Sequence, residues 1–353
     1  MNPIDLRSDT VTTPTEAMRE AMKTALVGDD VFREDPTVIE LENRSAQITG
    51  KEKGLFVSSG TMGNLVALLS HCGRGDQILV ARGAHIFQYE QGGASTLGGI
   101  TMNPLGESKF RHLEAADVKK NIAQDDVHKP LTRLLSLENT MNGIPQPVED
   151  IEAICQIARQ NNLLVHLDGA RIFNAACALE VEPGEIVAQV DSVQFCFSKG
   201  LSAPVGSMLC GNEKFIEKAR RWRKAVGGGM RQAGVIAASC LIALEKMRDR
   251  LLEDHKTARA LGEGLQSLEF VHCDLKNCHT NMVFLEVSIP GKTACDLEKK
   301  LKEKNLLVLA LSDTMIRAVT HYGITDSDID LAIEIFKNTV LEMAGEKTLV
   351  SGK

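Results

Sequence analysis

No stretch of this sequence is apolar for long enough to cross a bilayer. The longest, around Val235–Leu244, falls far short of the roughly 20 residues that a spanning helix needs. The amino terminus, Met1-Asn2-Pro3-Ile4-Asp5-Leu6-Arg7, lacks the apolar core of a secretory signal. Cysteine pairs at C-x-x-C spacing are missing too. The nine cysteines are scattered and odd in number, several of them in apolar runs, which points to reduced thiols and a cytoplasmic setting. There is no excess of positive charge. Formal net charge is −7 with both signs interspersed, so neither nucleic acid nor a membrane is an expected partner. The one dense basic run, Arg220-Arg221-Trp222-Arg223-Lys224, reads first as a solvated helix face. His272, Cys273, Cys278 and His279 have zinc-ligand types, but adjacent His-Cys pairs point in different directions on an extended chain, and no metal is expected.

What is present is ordinary globular composition. With 353 residues, 43% of them hydrophobic, the chain can build one large domain and a smaller one. Its middle repeats one pattern of short apolar run, small-residue turn and helical stretch. Leu55-Phe56-Val57 leads into Ser58-Ser59-Gly60-Thr61 and a helical Met62–Leu69. Further strands are expected at Gln77–Val80, Arg133–Leu137, Leu163–Leu167, Val193–Phe197 and Ser207–Cys210. Ile151, Ile154, Cys155 and Ala158 fall three to four apart, as on a helix face. Alternation of this kind predicts an α/β architecture with a mostly parallel sheet, whose ligands bind at the carboxyl ends of the strands. After a long helix from Gln232 to about Glu253 the rhythm changes. Helices at His255–Leu268, Thr293–Glu303 and Asp326–Met343, with strands at Met282–Val287 and near Leu306 and Ile316, suggest a smaller α+β domain. The expected division is 1–250 for an N-terminal arm and large domain, and 251–353 for the small one.

Lys199 closes the apolar run Val193-Gln194-Phe195-Cys196-Phe197, between Ser198 and Gly200. A lysine at the end of a buried strand is costly unless it is neutral or covalently engaged, and condensation with pyridoxal 5′-phosphate would engage it. Taken alone, a strand-end lysine reaching solvent is the simpler reading, so partners are needed. Asp168, ending another strand, is placed to keep a pyridine nitrogen protonated. Arg171 could face the same site and clamp a ring oxygen or a carboxylate. Ser59-Gly60-Thr61 couples a strand to a helix amino terminus, whose amides and dipole suit a phosphate, although an N-cap explains the same residues. His85 could stack on a ring or move a proton. Each signal is modest; their order along the chain is what counts.

In long stretches the sequence resembles the threonine aldolase family of pyridoxal-phosphate enzymes. The matching segments are Asp5-Leu6-Arg7-Ser8-Asp9-Thr10-Val11-Thr12, Ser59-Gly60-Thr61-Met62-Gly63-Asn64, His166-Leu167-Asp168-Gly169-Ala170-Arg171-Ile172-Phe173-Asn174, Phe197-Ser198-Lys199-Gly200 and Gly227-Gly228-Gly229-Met230-Arg231-Gln232. The resemblance implies the aspartate-aminotransferase-type fold (fold type I, a transferase-like α/β class) and retro-aldol cleavage of L-threonine or L-allo-threonine to glycine and acetaldehyde. It implies Lys199 as the cofactor-bearing lysine, Asp168 as the partner of the ring nitrogen, and His85 as the residue stacked on the ring. Ser59, Gly60 and Thr61 match the phosphate loop, with Ser198 beside the lysine. Ser8, Arg171 and Arg317 match positions that hold the substrate carboxylate. Arg231, with Lys224, would reach the phosphate of a neighbouring subunit, which implies a homo-oligomer, a tetramer or a dimer. The sequence departs from the family at Met141, where His is usual, and at Phe32-Arg33, where Tyr-Gly is usual. These departures keep two alternatives open: a related lyase acting on another β-substituted amino acid, or a cofactor-binding protein that has lost turnover.

Overall fold

The computed structural model describes residues 3–108 and 110–345; Lys109 and the outer ends of the expected domains, 1–2 and 346–353, lie outside them. The chain divides into two compact units, Thr13–Arg248, and Met1–Thr12 with Asp249–Lys353. In the larger unit seven strands form one sheet: β1 (Lys53–Val57), β2 (Gln77–Ala81), β3 (Thr101–Leu105), β4 (Thr132–Glu138), β5 (Leu164–Asp168), β6 (Ser192–Cys196) and β7 (Ser207–Gly211). The order across the sheet is β1-β7-β6-β5-β4-β2-β3. All neighbours from β6 to β3 pair parallel, while β7 runs antiparallel to both β6 and β1. The alternation in the sequence therefore produces the α/β sheet expected from it. One strand escaped that reading. Thr101–Leu105 contains Pro104, and it sits at the sheet edge, where a strand tolerates a residue without an N–H.

Because β1, β2, β4, β5 and β6 all run the same way, their carboxyl ends share one edge of the sheet. These ends lead into Ser58-Ser59, His85, Glu138, Asp168 and Ser198-Lys199. The Gly60–His71 helix starts there, with Ser59 as N-cap accepting a hydrogen bond from the Met62 amide at 3.2 Å. Its first turn lies hard against β6. A Cβ on Gly60 would stand 2.9 Å from Cys196 Sγ, and one on Gly63 would stand 2.6 Å from Gln194 Cγ. Glycine at these two positions is what lets the helix amino terminus descend onto the strand.

The basic run belongs to the helix Glu213–Ala225, but it is not a uniformly solvated face. Arg223 is buried and donates to Asp30 Oδ2 at 2.6 Å and to the Phe56 carbonyl at 2.7 Å. Trp222 packs against the core cluster that contains Leu55, Val66 and Phe215. Arg33, the family departure, sits at φ 61° and ψ 40°, a left-handed conformation that favours glycine.

The expected single helix from Gln232 to Glu253 is two helices, Gly234–Lys246 and Leu251–Leu265. The side chains at the break are drawn to different units. Arg248 reaches Glu182 at 3.4 Å and covers the Phe173 ring, whereas Arg250 donates to Asp254 at 2.5 Å and covers the Tyr322 ring. In the smaller unit, Leu309–Ala310, Met315–Val319, Met282–Val287 and Val271–Cys273 form an antiparallel sheet in that order. Ile4–Asp5 pairs parallel with Leu306–Leu307. Reciprocal caps at Thr293/Asp296 and Thr325/Asp328 start the helices Ala294–Glu303 and Asp326–Ala344. On Val271–Cys273, Cys273 is buried and its neighbour His272 is exposed.

The close approach of helix to strand sets the first expectation. Gly63→Ala should lower stability by about 1–3 kcal/mol in denaturant unfolding, because the added methyl meets Gln194 in a filled core. Stability equal to that of the parent chain would contradict this packing.

Candidate active site

Asp168 ends β5 with a carboxylate that is 2% exposed. An isolated charge there would be prohibitive, and it is met by donors. Asn64, from the second turn of the Gly60–His71 helix, donates its amide to Asp168 Oδ2 at 2.8 Å, and the Ala170 backbone amide donates to Oδ1 at 3.0 Å. Each oxygen keeps a second lone pair for a ligand. The same Asn64 amide donates to Glu90 Oε1 at 2.9 Å. Glu90 is itself buried, and His85 Nδ1 lies 2.9 Å from its Oε1.

A third carboxyl closes the group. Glu138 ends β4 and faces Asp168 across the parallel register, and its Oε2 accepts the His85 backbone amide at 2.7 Å. Burial, and then the charge of Asp168, push the Glu138 carboxyl up to about 8, so that it is mostly protonated at neutral pH. Burial also raises Glu90 above the usual carboxylate range. The hydrogen bond to Glu90 holds the His85 imidazole above its ordinary value, with Asp168 and Glu90 adding to it and burial and Lys199 opposing it. Lys199, half-buried after β6, therefore stands within electrostatic reach of His85 and Glu138.

At the same edge, the first turn of the Gly60–His71 helix presents amides of Gly60 and Thr61 that have no acceptor within the helix. The larger unit thus brings together Ser59, Gly60, Thr61, His85, Asp168, Ser198 and Lys199 at one edge of the sheet. Arg171 lies three residues past Asp168, where the helix Ile172–Leu179 begins. Such a site has a buried anion, a nearby amine, a histidine of fixed orientation and a helix terminus suited to an anion. It fits a ligand carrying a ring cation and a phosphate, and chemistry in which protons move near Lys199 and His85.

These residues lie inside a segment that matches a known family model. The Beta-eliminating lyase model covers residues 5–288. The chain belongs to that family. Among curated relatives, this lyase-family chain is 43% identical over 350 residues to low-specificity L-threonine aldolase 1 of Arabidopsis thaliana, covering 97% of this chain and 98% of that one. It is 45% identical to the low specificity L-threonine aldolase of Escherichia coli (strain K12), over 91% of this chain and 95% of that one. Among solved structures, a threonine aldolase of Leishmania major superposes with a TM-score of 0.81 over 96% of this chain and all of that one. At 17% identity, that likeness bears on the fold alone.

The other sequence-predicted residues of this lyase have partners of their own. Ser8 and Arg317 belong to the smaller unit, where Ser8 caps the turn Asp9–Val11 and Arg317 donates to the Arg7 carbonyl at 3.1 Å. Arg231 pairs with Asp29 at 3.1 Å, and Lys224 lines a cavity of about 300 Å³ with Asp30, Arg33 and Arg223. Met141 is buried and bridges to Ile144. Sequence reasoning gave no role to Asn64, Glu90 and Glu138. Glu138 carried the same strand-end signal as Asp168, whereas Glu90 lies in a turn and Asn64 on a helix, and neither position marks a site by itself.

The elevated Glu138 pKa has a measurable consequence. A carboxyl whose folded pKa exceeds its unfolded value contributes stability that is full below the unfolded value, near 4.5, and lost as pH rises through about 8. Glu138→Gln, which mimics the neutral form, should fall within about 1 kcal/mol of the parent at pH 5 and gain on it steadily toward pH 8. A difference that does not change with pH would contradict the buried, neutral carboxyl.

Proposed function

We propose that the chain is a pyridoxal-5′-phosphate-dependent aldolase, a carbon–carbon lyase that cleaves L-threonine and L-allo-threonine to glycine and acetaldehyde. The observation that carries this reading is the buried Asp168 carboxylate, held ready by Asn64 and Ala170 at the strand edge that also bears Lys199. The names of the relatives supply the substrate class.

The residues present fit the cofactor. Gly60 and Gly63 allow the helix amino terminus to sit against β6, leaving the Gly60 and Thr61 amides and the Ser59 cap for the phosphate. Asp168 would hold the protonated ring nitrogen, and Lys199 would hold the cofactor covalently through Nζ, with Ser198 next to it. His85, on the loop after β2, would lie against the ring. When bound, pyridoxal phosphate supplies the electron sink that accepts the bonding pair released at the substrate Cα.

The protein's part is to bind, orient and move protons. Arg171 binds the substrate carboxylate, which sets the Cα–Cβ bond for cleavage. His85, its Nδ1 engaged by Glu90, offers Nε2 to take the proton of the β-hydroxyl as the Cα–Cβ bond breaks and the aldehyde leaves. A proton returned to Cα completes glycine. Glu138, kept neutral, adds no second full charge beside Asp168. Arg231 and Lys224 act in a homo-oligomer, where they reach the phosphate of a neighbouring subunit. Met141 favours one further reading, an aldolase for a bulkier β-hydroxy amino acid, since a buried thioether cannot serve a hydroxyl as the usual His would.

Purified protein loaded with pyridoxal phosphate should release aldehyde from at least one of L-threonine and L-allo-threonine. Release from L-phenylserine alone would favour the bulkier substrate. Lys199→Ala should abolish release while leaving the far-ultraviolet circular dichroism unchanged. Undiminished turnover in that variant would contradict the assignment.

A further inference from the structure

Behind Asp168 a line of buried polar side chains leads away from the site, and the proposed chemistry makes no use of it. Asn64 and His71 lie two turns apart on one face of the Gly60–His71 helix, and His166 and Ser192 are register partners on β5 and β6. The helix face lies on these strands so that the four residues join end to end. His71 Nε2 is 2.7 Å from Ser192 Oγ, Ser192 Oγ is 2.9 Å from His166 Nδ1, and His166 Nε2 is 3.1 Å from Asn64 Oδ1. Asn64 Nδ2 then reaches Asp168 Oδ2. Asn64, His166 and Ser192 are at most 1% exposed. His71 stacks on the Phe215 ring at the outer end, where Lys218 donates to the Ser70 carbonyl.

The direction of this line is fixed at its inner end. Asn64 Nδ2 lies between two carboxyl groups, Asp168 and Glu90, so it is the donating side of the amide that faces them and Oδ1 that faces His166. His166 must then donate from Nε2, which leaves Nδ1 to accept from the Ser192 hydroxyl, and Ser192 to accept from His71 Nε2. Every hydrogen in the line points toward Asp168.

The geometry points to His71, Ser192, His166 and Asn64 as a polarised relay of positioning residues that holds Asp168 ionised and so keeps the cofactor ring nitrogen protonated. Successive hydrogen bonds aligned in one sense polarise one another, and here the positive end of the line meets the carboxylate. Burial drives both histidines down to about 3, so each stays neutral and keeps the single ring proton that the line needs. The titratable groups that otherwise bear on Asp168 are Glu90, Glu138 and His85, with Lys199 acting on His85 and Glu138 and Lys218 beside His71. Of these, Glu90 accepts from the same Asn64 amide as Asp168, so the inner end of the relay meets both carboxyls.

This inference rests on the cofactor reading above, and the test separates the two. The visible absorbance of the cofactor linked to Lys199 is titrated with pH in the parent and in Ser192→Ala, Ser192→Thr, His166→Leu and His166→Gln. A ring nitrogen that loses its proton raises the pKa of that linkage. Ser192→Ala and His166→Leu should therefore shift the midpoint upward by about half a pH unit or more, while Ser192→Thr and His166→Gln, which keep a hydroxyl and an Nε2 donor, stay near the parent. Unchanged midpoints in folded Ser192→Ala and His166→Leu would overturn the relay. A parent chain without any visible cofactor band would contradict the proposed function instead. In that event the imidazole ¹⁵N resonances of the cofactor-free full chain still decide: His166 protonated on Nε2 supports the relay, and His166 protonated on Nδ1 overturns it.

Discussion

Three carboxyl groups, Asp168, Glu90 and Glu138, meet at the carboxyl edge of a parallel sheet, and Asn64 bonds two of them at once. Transferring one carboxylate out of water costs several kcal/mol even after relaxation, and a second beside it costs more. Glu138, next to Asp168 in register on β4, accordingly rises to about 8. Glu90 rises less far and shares its oxygen between Asn64 and His85. Asp168 receives a side-chain amide on one oxygen and a backbone amide on the other.

The scaffold supplies those donors through one close contact. The Gly60–His71 helix can carry Asn64 to Asp168 only because its first turn has no Cβ at Gly60 and Gly63, where Gln194 and Cys196 of β6 fill the space. The same descent places the helix amino terminus at the strand edge, beside the loop that bears His85 and the turn that bears Lys199. One packing decision therefore sets the anion site of the helix, the partner of Asp168 and the inner end of the buried line to His71.

Much of this was legible in the sequence, for identifiable reasons. Short apolar runs such as Leu163–Leu167 and Val193–Phe197 are buried strands, and a polar residue closing each run marks the ligand edge, which is how Asp168 and Lys199 stand out. Thr101–Leu105 was not legible, because Pro104 disguises an edge strand. The break at Met247–Arg250 was hidden as well, since neither glycine nor proline marks it and its cause is where Arg248 and Arg250 find partners. The supporting residues were legible least. Asn64 and His71 look like polar positions on an amphipathic helix, and His166 and Ser192 like interruptions in apolar strands. Only the pairing of β5 with β6, and the helix lying on both, shows that the four form a line. The motifs Ser59-Gly60-Thr61 and His166-Leu167-Asp168 carry the family resemblance without revealing that Asn64 and His166 bond each other.

In the proposed site the amine after β6 carries the cofactor beside Asp168. Borohydride reduction of the cofactor-loaded protein, followed by digestion and mass spectrometry, tests it most directly by fixing the cofactor where it is attached. A single pyridoxyl adduct is expected, on the peptide containing Lys199. An adduct on a different lysine, or none on a protein that retains its cofactor absorbance, would contradict it.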